Sequence, residues 1–199
     1  VARLIAQEFG FLYVDTGAMY RAFAWQALRR GVDPANRPAI KALIDQTAFV
    51  PCVGPQGYIL RIDGKEPGEQ LRTPEVNTAV SQVAAHPELR EFLVNHQRAL
   101  RLEHQLVMEG RDIGTVVFTD TPHKYFIDAD PQVRQQRRSR EGQQDTTARR
   151  DAQDRSRAAA PLIQAADARV IDSTHRSARE IATDIITEIR AHGLSTTSL

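Results

Sequence analysis

The sequence predicts an α/β domain built on a parallel sheet, with one small β-rich insertion. Three observations carry that prediction. Short apolar runs are each closed by a polar turn and followed by an amphipathic helix, the pattern of strands joined by covering helices. One segment, about residues 48–70, breaks that rhythm and reads as an antiparallel meander. Finally, Met108-Glu109-Gly110-Arg111-Asp112-Ile113-Gly114-Thr115 places an adjacent Arg and Asp between two glycines, directly after the apolar Leu106-Val107. Ligands of open α/β sheets sit at such strand ends.

Taken in order, Val1 to Phe9 has Val1, Leu4, Ile5 and Phe9 near one helical face, and Gly10 is a natural stop. This short helix starts without a cap and is expected to be cut on its N-terminal side. Phe11 to Val14 is a short strand, Asp15-Thr16-Gly17 ends it, and Ala18 to Arg30 is a helix closed by Gly31. Pro38 to Gln46 is a further helix. Phe49-Val50, Tyr58 to Ile62 and the turn Asp63-Gly64 form the meander. Thr73-Pro74 opens a helix to about Ala85 in the favoured cap-then-proline order. Another helix runs from Pro87 to about Leu102, then a strand from Gln105 to Met108. Lys124 to Asp128 is a strand, Asp130-Pro131 starts a helix to Arg140, Arg169 to Asp172 is a strand, and Ser177 to Ala191 is a helix. The tail from Ser195 is expected to fray.

Bulk properties narrow the function. With 199 residues the chain can bury one sizeable core or a core plus a small insertion. No run of 18 apolar residues and no signal-peptide pattern is present, so no membrane association is expected. The lone Cys52 excludes an internal disulfide and a cysteine-rich zinc site, which fits a reducing, cytoplasmic setting. A net charge of +1 gives no argument for nucleic acid. Of 26 basic residues only Lys41, Lys65 and Lys124 are lysine. Base composition of the genome or bidentate phosphate binding would each explain that bias. The six histidines have no metal-ligand spacing and read as structural or surface residues.

Three polar clusters are candidates for chemistry. In Asp15-Thr16-Gly17-Ala18-Met19-Tyr20-Arg21, Thr16, Arg21 and the first helix amides suit an anion, or the segment is a simple N-cap with a surface arginine. In Arg111-Asp112, Arg offers a fork of donors for phosphate and Asp offers acceptors for an amine, or the pair is a local ion pair in a turn. The flanking glycines are expected to let the backbone approach a ligand closely. From Arg134 to Arg157, eight arginines interleave with Asp145, Asp151 and Asp154, and no apolar run separates Gly142 from Ala158. That stretch is either a solvated face or a cover that closes on polyphosphate.

These motifs resemble bacterial cytidylate kinase, a nucleoside monophosphate kinase. The shared strings include Asp15 to Arg21, Leu71-Arg72-Thr73-Pro74-Glu75-Val76, Ser81-Gln82-Val83-Ala84 with Arg90, Gln97-Arg98, and Glu109 to Phe118. Arg150-Asp151 through Asp154-Arg155-Ser156-Arg157, Ala160-Pro161-Leu162 and Ala166-Asp167-Ala168 complete the match in the same order. The resemblance implies a parallel-sheet P-loop kinase core over residues 1–46 and 87–199. It also implies a small α+β NMP-binding insertion over 47–86 and an arginine-rich lid over about 137–157. It implies transfer of the γ-phosphate of ATP to CMP or dCMP, with Mg2+ bound alongside ATP, by a cytoplasmic protein, usually a monomer.

Residue by residue, it implies that Arg21 and Arg111 hold the substrate phosphate, with Thr16 beside them. Ser81, Arg90 and Asp112 would read cytosine. Asp154, Arg150 and Arg157 would reach the sugar and phosphates from the lid, so that Arg111, Arg150 and Arg157 act on the transferred group. Arg134 and Arg138 would face ATP. No metal ligand is assigned among these residues. Cytosine offers an N4 amine beside N3 and O2 acceptors, which an acidic acceptor plus a donor fork complements. Uracil would face Asp112 acceptor to acceptor, and a site built on such pairing rejects the mismatch by up to about 10⁴-fold.

The chain departs from the family in two places. The glycine-rich loop of the G-x-x-x-x-G-K-[ST] kind, which cradles ATP phosphates, is not in this sequence, and Val1 falls just after its position. Several residues usual in the lid are missing between Gly142 and Gln143. We expect the natural chain to hold both. The alternatives are a non-catalytic nucleotide-binding domain without the ATP loop, and a kinase for UMP or other pyrimidine monophosphates.

Overall fold

The structure, a computed structural model, describes residues 1–54, 57–140 and 163–193. Helix α1 (Ala2–Phe9) buries Ile5, Ala6 and Phe9 and ends at Gly10, whose φ of 68° lets the Phe11 amide return to the Ala6 carbonyl at 2.9 Å. Strand β1 (Leu12–Asp15) passes directly into α2 (Thr16–Arg29). The helix starts two residues before the sequence pattern suggested. Asp15, the last strand residue, is itself the cap, its Oδ1 accepting from the Ala18 amide at 3.0 Å. Helix α3 (Arg37–Asp45) follows, capped by Asn36.

Strands β2 (Phe49–Gly54) and β3 (Gly57–Ile62) pair antiparallel, from Phe49 opposite Ile62 to Gly54 opposite Gly57. A short 3₁₀ turn (Gly68–Arg72) leads to α4 (Pro74–Val83) and α5 (Pro87–Glu103). The chain continues through β4 (Leu106–Glu109), β5 (Tyr125–Asp128), α6 (Pro131–Arg140), β6 (Arg169–Asp172) and α7 (Ala178–Ala191). A Ser177–Glu180 capping box starts α7.

The parallel pairing predicted from the strand–helix rhythm is present, divided between two pairs. Strand β1 lies parallel to β4, with Asp15 opposite Glu109, and β5 lies parallel to β6, with Asp128 opposite Asp172. The pairs share one helical cover. Ile5 and Phe9 of α1 and Ile181, Ile185 and Ile189 of α7 form an apolar cluster with Ile171, against which Val107 of β4 and Tyr125 of β5 pack.

The larger core gathers Val14, Met19, Phe23, Ile40, Leu89 and Leu93. Phe49, Leu60 and Ile62 of the β2–β3 hairpin belong to that same cluster, with Phe49 stacked on Phe23 at 5.4 Å. Burying a Phe or Leu side chain is worth about 1.5–3 kcal/mol, so the hairpin is anchored and does not float above the domain. A polar clasp adds to this. Asp63, at φ 49° in the turn after β3, accepts from Gln26 Nε2 (2.6 Å), Arg30 Nη2 (2.5 Å) and the Ala48 amide (2.9 Å).

Candidate active site

The in-register pairing of β1 and β4 brings two polar strand ends together. Thr16 is buried and its Oγ1 donates to the Glu109 carbonyl at 2.8 Å, so the start of α2 is bolted to the end of β4. Tyr13 donates its hydroxyl to the Glu109 carboxylate across the same strands. Burial first, and then that carboxylate, push the Tyr13 hydroxyl well above its usual range.

The glycines of this loop leave room for neighbouring side chains of the protein itself. Neither Gly110 nor Gly114 is among the glycines with positive φ. A Cβ at Gly110 would overlap Thr16 Oγ1 and stand 2.9 Å from Ile113 Cδ1, and one at Gly114 would meet Lys124 Cδ at 3.2 Å and Ala165 Cβ at 3.4 Å. In the structure their smallness admits protein neighbours. The close approach is of Thr16 and Lys124.

At the first turn of α2 the N-cap expected from the sequence is present, but Arg21 is not a surface arginine, its side chain being 13% exposed. Asp15 caps the helix with Oδ1 and binds Arg21 Nη2 with Oδ2 at 2.8 Å. Gly17 makes room, since a Cβ there would stand 2.9 Å from Arg21 Nη1. The guanidinium therefore folds back over the helix N-terminus, where backbone amides and the helix dipole favour an anion. Arg21 Nε is buried and finds no hydrogen-bond acceptor among the described residues.

Arg90 and Asp112 are joined in a buried ion pair, with side chains 8% and 7% exposed. Arg90 also donates from Nη1 to the Ala84 carbonyl at 3.1 Å and lies over the Tyr20 ring, 5.4 Å from its centroid. Ser81, half-buried, sits on the last turn of α4, one turn before Ala84. Arg90 thus links the α4–α5 connection to the strand end that carries Arg111 and Asp112. After Asp112 the backbone makes a single π-type turn (Ile113–Val117), in which the Asp112 carbonyl accepts from Val116 (2.9 Å) and the Ile113 carbonyl from Phe118 (2.7 Å). Such wide turns recur at functional sites. Arg111 is half-buried at the start of this segment.

Sequence reasoning gave no role to two further cations beside this turn. Arg98 of α5 donates to the carbonyls of Val116 (2.8 Å) and Val117 (3.1 Å). Lys124 is buried, and its ammonium binds the Thr119 carbonyl (2.6 Å) and the Asp167 carboxylate (2.5 Å). The available signal for Lys124 was that it is one of only three lysines.

The arginine-rich region is mixed in use. Arg134 lies with Nε 3.7 Å from Asp128 Oδ1, at the carboxyl end of β5. Arg137 is taken up structurally, holding Ser173 Oγ (3.0 Å) and the Ser173 carbonyl (2.7 Å), so it fastens α6 to the segment after β6. The Arg138 side chain, Arg150, Asp154, Arg157 and the Gly142–Gln143 junction lie outside the described residues. Among the described residues no helix is long and apolar enough to cross a membrane, and no three His, Cys, Asp or Glu side chains gather to hold a metal.

Residues 1–191 match the family model described as cytidylate kinase. The chain is similar to the cytidylate kinase of Pelotomaculum thermopropionicum, 41% identical over 203 residues, covering 96% of this chain and 90% of that protein. It is 36% identical to the cytidylate kinase of Oceanobacillus iheyensis, covering 95% of this chain and 87% of that protein. The cytidylate kinase of Corynebacterium efficiens is 40% identical, with 93% and 86% covered.

Proposed function

The chain belongs to the cytidylate kinase family, and on that premise we propose how its residues serve the reaction. The protein is a phosphotransferase that moves the γ-phosphate of ATP to CMP or dCMP. Relatives of that description, matched over nearly their whole length, favour this over a non-catalytic nucleotide-binding domain or a UMP kinase.

In our reading the β1–β4 strand ends are the substrate half of the site. Arg21, turned over the α2 N-terminus with Thr16 beneath it, and Arg111 hold the monophosphate. Asp112 accepts from the cytosine N4 amine, Arg90 supplies donors, and Ser81 completes the edge. The observation that carries this assignment is the buried Arg90–Asp112 pair. It is an acceptor and a donor fork fixed side by side, one residue from a second arginine. Phosphoryl transfer asks mainly for alignment, charge neutralisation and exclusion of water, which arginines and a carboxylate provide without a nucleophilic side chain.

Arg150, Asp154 and Arg157 would complete the phosphate and sugar contacts, and Arg134 and Arg138 would face ATP. Residues 47–86 would close over the monophosphate, with 1–46 and 87–199 as the core and about 137–157 as the lid. Mg2+ is proposed to arrive on the ATP phosphates, since it commonly binds through one or two carboxylates plus substrate oxygens. Asp15 and Glu109 bring carboxylates to the paired strand ends, but Asp15 is engaged by the Ala18 amide and Arg21 and Glu109 by Tyr13, so the phosphates would supply most of the ion's ligands. A monomer in the cytoplasm is the setting we propose.

The test is a substrate panel with the full-length enzyme and its Asp112→Asn variant. Wild type should phosphorylate CMP and dCMP far faster than AMP or UMP. The substituted side chain keeps one acceptor oxygen but adds an NH2 that can donate to the uracil O4, so the CMP/UMP ratio of kcat/KM should fall by at least about tenfold. An unchanged ratio removes Asp112 from base reading.

A further inference from the structure

We propose that Lys124 is a positioning residue for the substrate loop after β4, holding the Asp112–Thr119 turn in place from the β5 side. The inference rests on the reading of that loop as the substrate half of the site. Its own evidence is the placement of the lysine. Lysine is almost never fully buried unless paired, yet the Lys124 side chain is 5% exposed while its partner Asp167 is 62% exposed. The ammonium beside Asp167 holds that carboxyl below the usual carboxylate range. A largely exposed partner repays little of the cost of burying an ammonium. An apolar residue would fill the position at lower cost, so the informative contact is the other one.

Lys124 Nζ donates to the Thr119 carbonyl at 2.6 Å, just beyond the π-type turn. Its stem crosses the turn itself, where a Cβ added at Gly114 would stand 3.2 Å from Lys124 Cδ. Its backbone carbonyl receives the Arg169 amide at 2.9 Å, which ties it to the start of the β5–β6 pair.

The turn is thus held from two sides. From α5, Arg90 grips the Asp112 carboxylate and Arg98 grips the carbonyls of Val116 and Val117. From β5, Lys124 holds Thr119 and lies along Gly114. With only the α5 contacts the turn can rock about that helix, and Arg111 and Asp112 move with it. A displacement of about 1 Å at such groups costs on the order of 10²-fold in rate. Lys124 therefore sets where the phosphate- and base-binding pair stands without touching substrate.

The experiment compares Lys124→Met, which keeps the stem and removes the ammonium, with Asp167→Asn, which leaves an acceptor for Lys124. Lys124→Met should raise KM for CMP about tenfold, the effect of an unmade charged hydrogen bond, with KM for ATP changed less than about twofold. Amide exchange of Thr115, Val116 and Val117 should quicken while that of α2 stays slow. Asp167→Asn should behave nearly as wild type in both readouts. If Lys124→Met unfolds, Gly114→Ala presses on the same contact and should produce the same CMP-selective rise.

A lowered Tm with unchanged KM for CMP, or CMP and ATP constants rising together with exchange faster throughout, overturns the proposal. So does a Gly114→Ala variant with unchanged KM for CMP. Asp112→Asn in the same assay separates the two ideas. If it leaves the CMP/UMP ratio unchanged while Lys124→Met shows its local signature, the role of Asp112 falls and that of Lys124 stands. The reverse pattern removes Lys124 alone.

Discussion

Arg90→Met is expected to destabilise the protein by about 3–5 kcal/mol and to lower kcat/KM for CMP by about 10³-fold. The first figure follows from burial. With Arg90 gone, Asp112 is left with its carboxylate 7% exposed and its main partner removed, and breaking a buried pair on one side costs about that much. The Ala84 carbonyl also loses its donor. The second figure follows from polar recognition, since an unpaired and displaced Asp112 can neither stay put nor accept selectively from an amine.

The two losses separate in the double variant Arg90→Met/Asp112→Leu. Replacing both charges with apolar groups removes the uncompensated carboxylate, so more than half of the lost stability should return in urea unfolding, while CMP turnover stays at the level of the single variant. If the double variant is as unstable as Arg90→Met, the cost did not come from Asp112. If Arg90→Met turns over CMP normally once folded, the arginine is structural only.

The parts of this molecule that the sequence disclosed are those governed by neighbours along the chain. Thr73-Pro74, Ser177 and Gly10 mark helix ends through contacts within a few residues, and each stands where local chemistry placed it. The strand Arg169–Asp172 was legible because four residues of the right type lie between turns.

What stayed hidden depends on partners far apart in sequence. Val116-Val117-Phe118 are β-branched and aromatic, a composition that suits a strand, yet the segment after Asp112 makes a wide turn, with Arg90 of α5 holding the Asp112 carboxylate and Arg98 the Val116 and Val117 carbonyls. The residues of the site were legible as motifs, but the pairing of Arg90 with Asp112 and the place of Lys124 follow from how α5 and β5 pack. Arginine abundance proved a blunt signal for the same reason. Arg30 binds Asp63, Arg37 binds Glu88, Arg137 binds Ser173 and Arg190 binds Glu8. Those arginines fasten elements together, whatever their codons reflect.

Gly110→Ala is the smallest change with a large expected consequence. One methyl group should cost about 2–4 kcal/mol of stability and about 10²-fold in kcat/KM for CMP. The cause is spatial, because Gly110 has no positive φ and alanine can adopt its backbone. The new Cβ would overlap Thr16 Oγ1 and press on Ile113 Cδ1 at 2.9 Å. Ile113 can shift a flexible end, but Thr16 cannot yield without releasing the Glu109 carbonyl, which is the bond that joins α2 to β4. Overpacking costs about 1–3 kcal/mol and the lost hydrogen bond about 1 more. Movement of α2 carries Arg21, and movement at residue 110 carries Arg111, so both proposed phosphate ligands leave position together.

Adding Thr16→Ala to Gly110→Ala removes the obstructing hydroxyl and should restore at least half of the lost stability, with activity still depressed because the strand-end bolt is gone. A double variant no more stable than Gly110→Ala would show that the methyl group collides elsewhere. A Gly110→Ala enzyme with unchanged kcat/KM for CMP would show that the spacing between α2 and β4 does not set the geometry of the phosphate site.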